Sequence, residues 1–286
     1  MSLAYLNGNY QPLAETQVSV MDRGFLFGDG VYEVVPVYAR RPFRLQEHLQ
    51  RLKNSLAAVR MGNPLSDADW SEVIARIVAS SASEDQQVYL QVTRGTAALR
   101  NHAFPAETTP TVLVMSDPLL SPAPELLATG VSAVSAADIR WLRCDIKATS
   151  LLANCLLRQM SVDAGCAETI LFRDGILTEG AASNIFVVKN GMLLAPQKNH
   201  LMLPGITYDV ILEVCRQNDI PCTVRDIAET ELKAADELLM TSSTREVQAI
   251  VALDGHRIGS GKPGPMAQVL SAHYQDFKRA VMYGRA

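Results

Sequence analysis

The run ETILFRDGILTEGAASNIFVVKNGMLLA, residues 168–195, limits the possible folds more than any other stretch of the 286-residue chain. Twice an apolar, β-favouring segment is broken by two residues, Asp174-Gly175 and then Asn190-Gly191, and resumes. Both dipeptides accept the positive φ angles of a two-residue turn, so the run predicts two successive antiparallel hairpins. Asn7-Gly8 and Asp254-Gly255 sit between β-favouring runs in the same way. Further strands are expected at GVYEVVPVYA, QVYLQVTRG, TVLVMS, VSAVSA, PCTVRDI and DELLMTS.

Helical periodicity separates only some of these strands. Leu45, Leu49, Leu52, Leu56 and Val59 recur in steps of four and three, which is one buried face of an amphipathic helix. A second helix is expected from Leu151, capped by Thr149 or Ser150, to Gly165, a residue suited to the position just past a helix end. A third spans about Thr207 to Asn218, and PMAQVLSAHYQDFKRAV closes the chain. Hairpin-paired strands with helices between only some of them predict an α+β architecture, not a doubly wound parallel sheet. Three prolines in SDPLLSPAPELL resist both helix and central strand. They place a linker near residue 120, between a small N-terminal domain (1–120) and a larger C-terminal domain (121–286) that carries Lys147.

With 48% apolar and 20% charged residues the chain is globular. A net charge of -4 gives no general attraction to nucleic acid or anionic lipid. No apolar run is long enough for a membrane helix and no basic-then-apolar leader opens the sequence, so a cytoplasmic protein is expected. Five cysteines without a Cys-x-x-Cys pair suggest buried thiols, with neither a disulfide framework nor a metal site. Glycine-rich nucleotide loops, nucleophile elbows and His-Glu-x-x-His are missing, so those enzyme classes lose their support.

Several residues carry chemistry, each with a plainer alternative. Lys147, at an expected strand-to-helix junction, becomes a nucleophile toward a carbonyl if burial or nearby cations lower its pKa; a surface lysine fits the local pattern as well. Glu179 precedes Gly180 and small residues that let a flat ligand approach, and could hold a protonated ring nitrogen or simply face solvent at a strand end. Pro204-Gly205 leads into a helix whose first N–H groups form an anion site, or else turns the chain with Thr207 as N-cap. The hydroxyls of TSSTREV suit a phosphate or a turn. Arg51 lies with Arg44 and His48 on the polar side of the first helix, an anion-binding or a solvated face. Arg94, Arg100 and His102 follow a strand on a loop, where a guanidinium and an imidazole suit a small carboxylate.

Together, DRGFLFGDGVYEVV, HLQRLKNS, QVTRGT, RWLRCDIK, LTEGAASNIFVV, LPGIT and TSSTREV resemble the fold-type IV pyridoxal-phosphate enzymes, and among them the D-amino acid aminotransferases, from about residue 5 to 260. The resemblance implies a two-domain fold with pyridoxal 5′-phosphate between the domains. Lys147 matches the lysine that holds the cofactor as a Schiff base and moves the proton. Glu179 matches the acid paired with the pyridine nitrogen. Arg51, the N–H groups of Ile206 and Thr207, and Ser243 match the phosphate cup, and Leu203 the residue packed on the ring. Tyr32, with Arg100 and His102 reaching over from a partner subunit, matches the substrate carboxylate site. A homodimer with composite active sites, acting on amino acids and 2-oxo acids, follows from the same resemblance. The Arg-x-His pair favours this subgroup over the branched-chain L-amino acid aminotransferases and the aminodeoxychorismate lyases. RGTAALRNH is one residue longer than the subgroup's pattern between its arginines, which leaves the position of Arg100 open. A protein that only binds the cofactor would need neither Lys147 nor Glu179.

Overall fold

In the computed structural model of the chain, which describes residues 3–120 and 122–283, all four predicted dipeptides turn antiparallel hairpins, as between Leu3–Leu6 (β1) and Asn9–Pro12 (β2). Each pair has positive φ at both positions, for example 52° at Asp174 and 74° at Gly175. Two units follow, Met1–Leu120 with Ile146–Leu151, and Ser121–Asp145 with Leu152–Ala286.

The first unit is built on an antiparallel sheet. Its strands are β1, β2, β3 (Gly30–Tyr38), β4 (Arg41–Pro42), β5 (Gln86–Thr93) and β6 (Thr111–Pro118), in the order β2-β1-β6-β5-β3-β4. A short helix, α1 (Arg23–Phe27), precedes β3, and α2 (Leu45–Ala58) and α3 (Asp67–Ser80) follow β4. Leu49, Leu52 and Leu56, the stripe read from the periodicity of α2, are buried with Trp70, Ile74 and Ile77 of α3 and with Val35 and Leu90 of the sheet. α3 was not anticipated from sequence. Its signal is a capping box, in which Ser66 Oγ accepts from the Asp69 N–H and Asp69 accepts from the Ser66 N–H.

The second unit holds a mixed sheet. Its strands are β7 (Val131–Ala137), β8 (Glu168–Arg173), β9 (Ile176–Gly180), β10 (Asn184–Lys189), β11 (Met192–Ala195), β12 (Cys222–Val224), β13 (Glu237–Ser242), β14 (Glu246–Leu253) and β15 (His256–Arg257). The order is β12-β11-β10-β13-β14-β7-β8-β9, with β15 beside β14. Helices α4 (Pro124–Thr129), α5 (Leu152–Asp163), α6 (Ile206–Gln217), α7 (Glu229–Lys233) and α8 (Pro265–Tyr283) complete it. Pairings of β7 with β8 and β14, and of β11 with β12, are parallel. The α+β class stands, with a mixed sheet in its second part.

Four local expectations change. Ile146–Leu151, and so Lys147, groups with the first unit and not with the C-terminal one, because its backbone pairs with β3. The hydroxyls of Thr149 and Ser150, expected to cap α5, donate instead to the Gly28 carbonyl at 3.0 and 2.9 Å. The proline-rich stretch opens α4, since proline fits the first helical turn, where no N–H partner is lost. Of the cysteines, Cys144 and Cys215 are buried, whereas Cys155 is exposed on α5.

Candidate active site

Lys147 sits on a segment without regular structure that is nevertheless pinned along its length. The Tyr32 N–H donates to the Lys147 carbonyl at 2.9 Å, the Thr149 N–H to Gly30 O at 3.0 Å, and the Lys147 N–H to Ser55 Oγ at 3.2 Å. Ile146 and Ala148 on either side are buried in the first unit's core. Burying these neighbours fixes the backbone and leaves Lys147 half-buried. Its ammonium lies 4.1 Å from the centroid of the Tyr32 ring and has no hydrogen bond or ion pair among the described residues. Tyr32 in turn stacks on Tyr89, ring centroids 5.6 Å apart.

Next to Tyr32, strand β3 carries a charge in its apolar run. Glu33 is fully buried and accepts from Arg51 Nε at 2.7 Å and Nη2 at 2.9 Å, and it is joined to His48 Nδ1 at 2.8 Å. Burial pushes the Glu33 carboxyl up, but Arg51 and His48 outweigh it and hold it below the ordinary carboxylate range. Burial pushes the pKa of His48 down, and the Arg51 and Lys147 charges add to that. A neutral His48 donates from Nδ1, leaving Nε2 a buried acceptor without a partner among the described residues. Arg51 and His48 are therefore not a solvated helix face. The sequence signal for Glu33 was a carboxylate inside GVYEVVPVYA.

Arg100 and His102 lie exposed on the loop after β5. The Phe27 ring brings them together, 5.1 Å from the Arg100 guanidinium carbon and 5.2 Å from the His102 ring.

In the second unit, Glu179 stands at the end of β9, buried, where Arg140 Nη1 and the Leu203 N–H (3.0 Å) both donate to its Oε1. Asn184 Nδ2 donates to Oε2 at 3.2 Å and to Leu203 O at 3.0 Å. Arg140 is held by Asp138 through Nε and Nη2, both at 2.9 Å. Burial pushes the Glu179 carboxyl up to about 7, against the opposing Arg140 charge. The roles of Arg140, Asp138 and Asn184 escaped sequence reasoning because the bond that ties Arg140 to Glu179 spans thirty-nine residues, and Asp138 and Asn184 gain their meaning only beside that pair.

Helix α6 begins beside this carboxylate. Its N-cap is Gly205, not Thr207, and no side chain caps it. A Cβ on Gly205 would collide with Asn184 Oδ1, so a larger residue here would displace the amide that holds Glu179 and Leu203. Ile206 and Thr207 thus offer uncapped N–H groups at the positive end of a twelve-residue helix. Ser243 lies on the turn between β13 and β14.

Each unit offers groups chemically suited to a pyridoxal phosphate. In the first it is an unpaired ammonium on an aromatic face; in the second they are a buried carboxylate held in place and an uncapped helix start suited to a phosphate.

Residues 30–253 match the family described as amino-transferase class IV. The D-alanine aminotransferase of Bacillus licheniformis is 39% identical over 270 residues, 94% of this chain and 95% of that protein. That of Listeria monocytogenes is 36% identical, over 94% and 93%. Among solved structures, a branched-chain amino acid aminotransferase from T.th., with pyridoxamine 5′-phosphate, has a TM-score of 0.91 at 25% identity, covering 99% of this chain and 95% of that one. The Escherichia coli branched-chain enzyme, at 24% identity and TM-score 0.91 over 100% and 96%, shares the fold. The chain belongs to the class IV aminotransferases, pyridoxal 5′-phosphate enzymes of fold type IV. Its curated relatives at 33–39% identity, spanning nearly the full chain, are D-alanine aminotransferases.

Proposed function

We propose that this enzyme moves an amino group between a D-amino acid of the D-alanine type and a 2-oxo acid such as 2-oxoglutarate, with the cofactor held covalently by Lys147. The observation that carries the reading is the Lys147 ammonium, fixed over Tyr32 and free of any counter-ion among the described residues. The D-preference is supported by the identity and near-complete coverage of the D-alanine aminotransferases, against 25% for the T.th. branched-chain enzyme.

When bound, the cofactor supplies an electron sink for the charge left when a Cα proton is removed. Lys147 Nζ, as a free amine, would take that proton from Cα and deliver it to C4′ of the cofactor in the first half of a ping-pong cycle, and return a proton from C4′ to Cα in the second. Glu179, kept in position by Arg140, Asn184 and the Leu203 N–H, pairs with the ring nitrogen. Leu203 packs on the ring. In the first unit Arg51 meets the phosphate, and in the second the N–H groups of Ile206 and Thr207 and the Ser243 hydroxyl do so. Tyr32, Arg100 and His102 receive the substrate carboxylate.

The enzyme works as a homodimer. Support comes from α5, where Leu152, Leu156 and Met160 recur every four residues and are 75%, 55% and 47% exposed. Trp141 and Leu142 are exposed as well. We place the enzyme in the cytoplasm, among dissolved amino acids and 2-oxo acids.

Titrating purified enzyme with D-alanine should convert the absorbance of the lysine-bound cofactor to that of its aminated form. Turnover with 2-oxoglutarate should favour D-alanine over L-leucine and L-valine. A clear preference for the L-series would refute the D-reading and leave the family unchanged. Pyruvate release from aminodeoxychorismate without an amino acceptor would point to the lyase instead.

A further inference from the structure

The loop carrying Arg100 and His102 has no helix or strand and leaves its large apolar side chains, Leu99 and Phe104, exposed, yet one side chain ties down its backbone. Arg23 of α1 is 3% exposed, and its guanidinium donates to three successive carbonyls of that loop. Nη1 reaches Asn101 O at 2.5 Å and Ala103 O at 3.3 Å, and Nη2 reaches His102 O at 3.1 Å. Its third nitrogen, Nε, donates to Asp29 Oδ2 at 2.7 Å.

Asp29 is shared. Arg94 donates to it through Nε at 2.8 Å and Nη2 at 3.0 Å, and the same Nη2 reaches Val59 O at 2.7 Å, just past the end of α2. Arg94 also lies 3.6 Å from the centroid of Phe104, the next loop residue. Helix α1 is itself anchored, since Asp22 accepts from the Gly24 N–H at 2.7 Å and from the Thr111 hydroxyl at 2.6 Å. Phe27, four residues after Arg23 on the same helix, is the ring against which Arg100 and His102 rest.

We propose that Arg23, braced by Asp29 and Arg94, is a positioning residue that sets how Arg100 and His102 are presented to the substrate carboxylate. The proposal rests on the reading of Arg100 and His102 as carboxylate ligands. Ordering a loop residue costs backbone entropy, which would otherwise be lost each time a carboxylate binds. A planar guanidinium with five fixed donors can serve three carbonyls and a carboxylate together, which a lysine ammonium cannot. The loop's extra residue relative to the subgroup pattern does not leave Arg100 adrift, because its anchor lies on the far side, at residues 101–103.

The test compares holoenzyme variants Arg23→Gln, Arg23→Lys, Arg100→Ala and the double variant Arg23→Gln/Arg100→Ala. The readouts are the KM for D-alanine, the inhibition constant of propionate as a plain carboxylate probe, kcat, and the absorbance of bound cofactor. R23Q should raise KM and the propionate constant about tenfold or more, leaving kcat and cofactor absorbance nearly unchanged. R23K should fall between wild type and R23Q. The double variant should bind propionate less than tenfold worse than R100A, because Arg23 acts through the loop and only His102 is left for it to position. If R100A weakens propionate but R23Q does not, the proposal is overturned; should R23Q fail to fold, a folded R23K with wild-type constants overturns it equally. If R100A itself leaves both constants unchanged, the carboxylate-site reading beneath the proposal has failed.

Discussion

Lys147 and Tyr32 are joined twice. The Tyr32 N–H donates to the lysine's own carbonyl at 2.9 Å, and the lysine ammonium stands 4.1 Å from the centroid of the tyrosine ring. The backbone bond fixes the root of the lysine and the ring supports its tip, so the amine is delivered to one place without an anion that would hold its proton. Lys147→Ala should fold normally, because Ile146 and Ala148 keep their burial. It should lose the visible absorbance of covalently held cofactor and about 10³-fold or more in turnover. Full activity in this variant would remove Lys147 from the chemistry.

Glu33 is the counter-ion that Arg51 needs while buried. Glu33→Gln leaves that guanidinium without its bidentate carboxylate and should cost about 3–5 kcal/mol, read as a shift of the urea midpoint. Cofactor affinity should fall in the same variant, since Glu33 then no longer holds Arg51 in position.

Glu179 gives a pH signature. An unfolded glutamate titrates near 4.3, and burial raises the folded group to about 7. The folded state therefore keeps its proton longer. The resulting stability is fully present below the unfolded value and is lost as pH rises through about 7. Cofactor-free wild type should lose up to about 3 kcal/mol relative to Glu179→Gln between pH 4.5 and 8. Parallel curves for the two proteins would mean that Arg140 keeps Glu179 ionised throughout.

The apolar stripe of α5 predicts assembly. Leu156→Asp places a charge in the middle of Leu152, Leu156 and Met160. Sedimentation should show a dimer for wild type and monomer for this variant. An exposed position of this kind should cost a single subunit less than about 0.5 kcal/mol of folding stability.

The sequence by itself determined the features that depend on neighbouring residues. Four two-residue turns, the stripe of α2, the strands on either side of Asp174-Gly175 and Asn190-Gly191, and the glycine after α5 each follow from the φ preferences or side-chain period of a few adjacent residues. Motif order also carried the resemblance to the family. Only the tertiary structure decided which charges are buried and by whom they are held. Arg51 read as a possible solvated face, yet it lies against Glu33, eighteen residues away. Glu179 meets Arg140 across thirty-nine residues, and Arg23 meets a loop nearly eighty residues on. Lys147 left the domain in which the sequence placed it, because its segment found backbone partners on β3. A buried charge must find its partner wherever the chain returns, and no local pattern records that place.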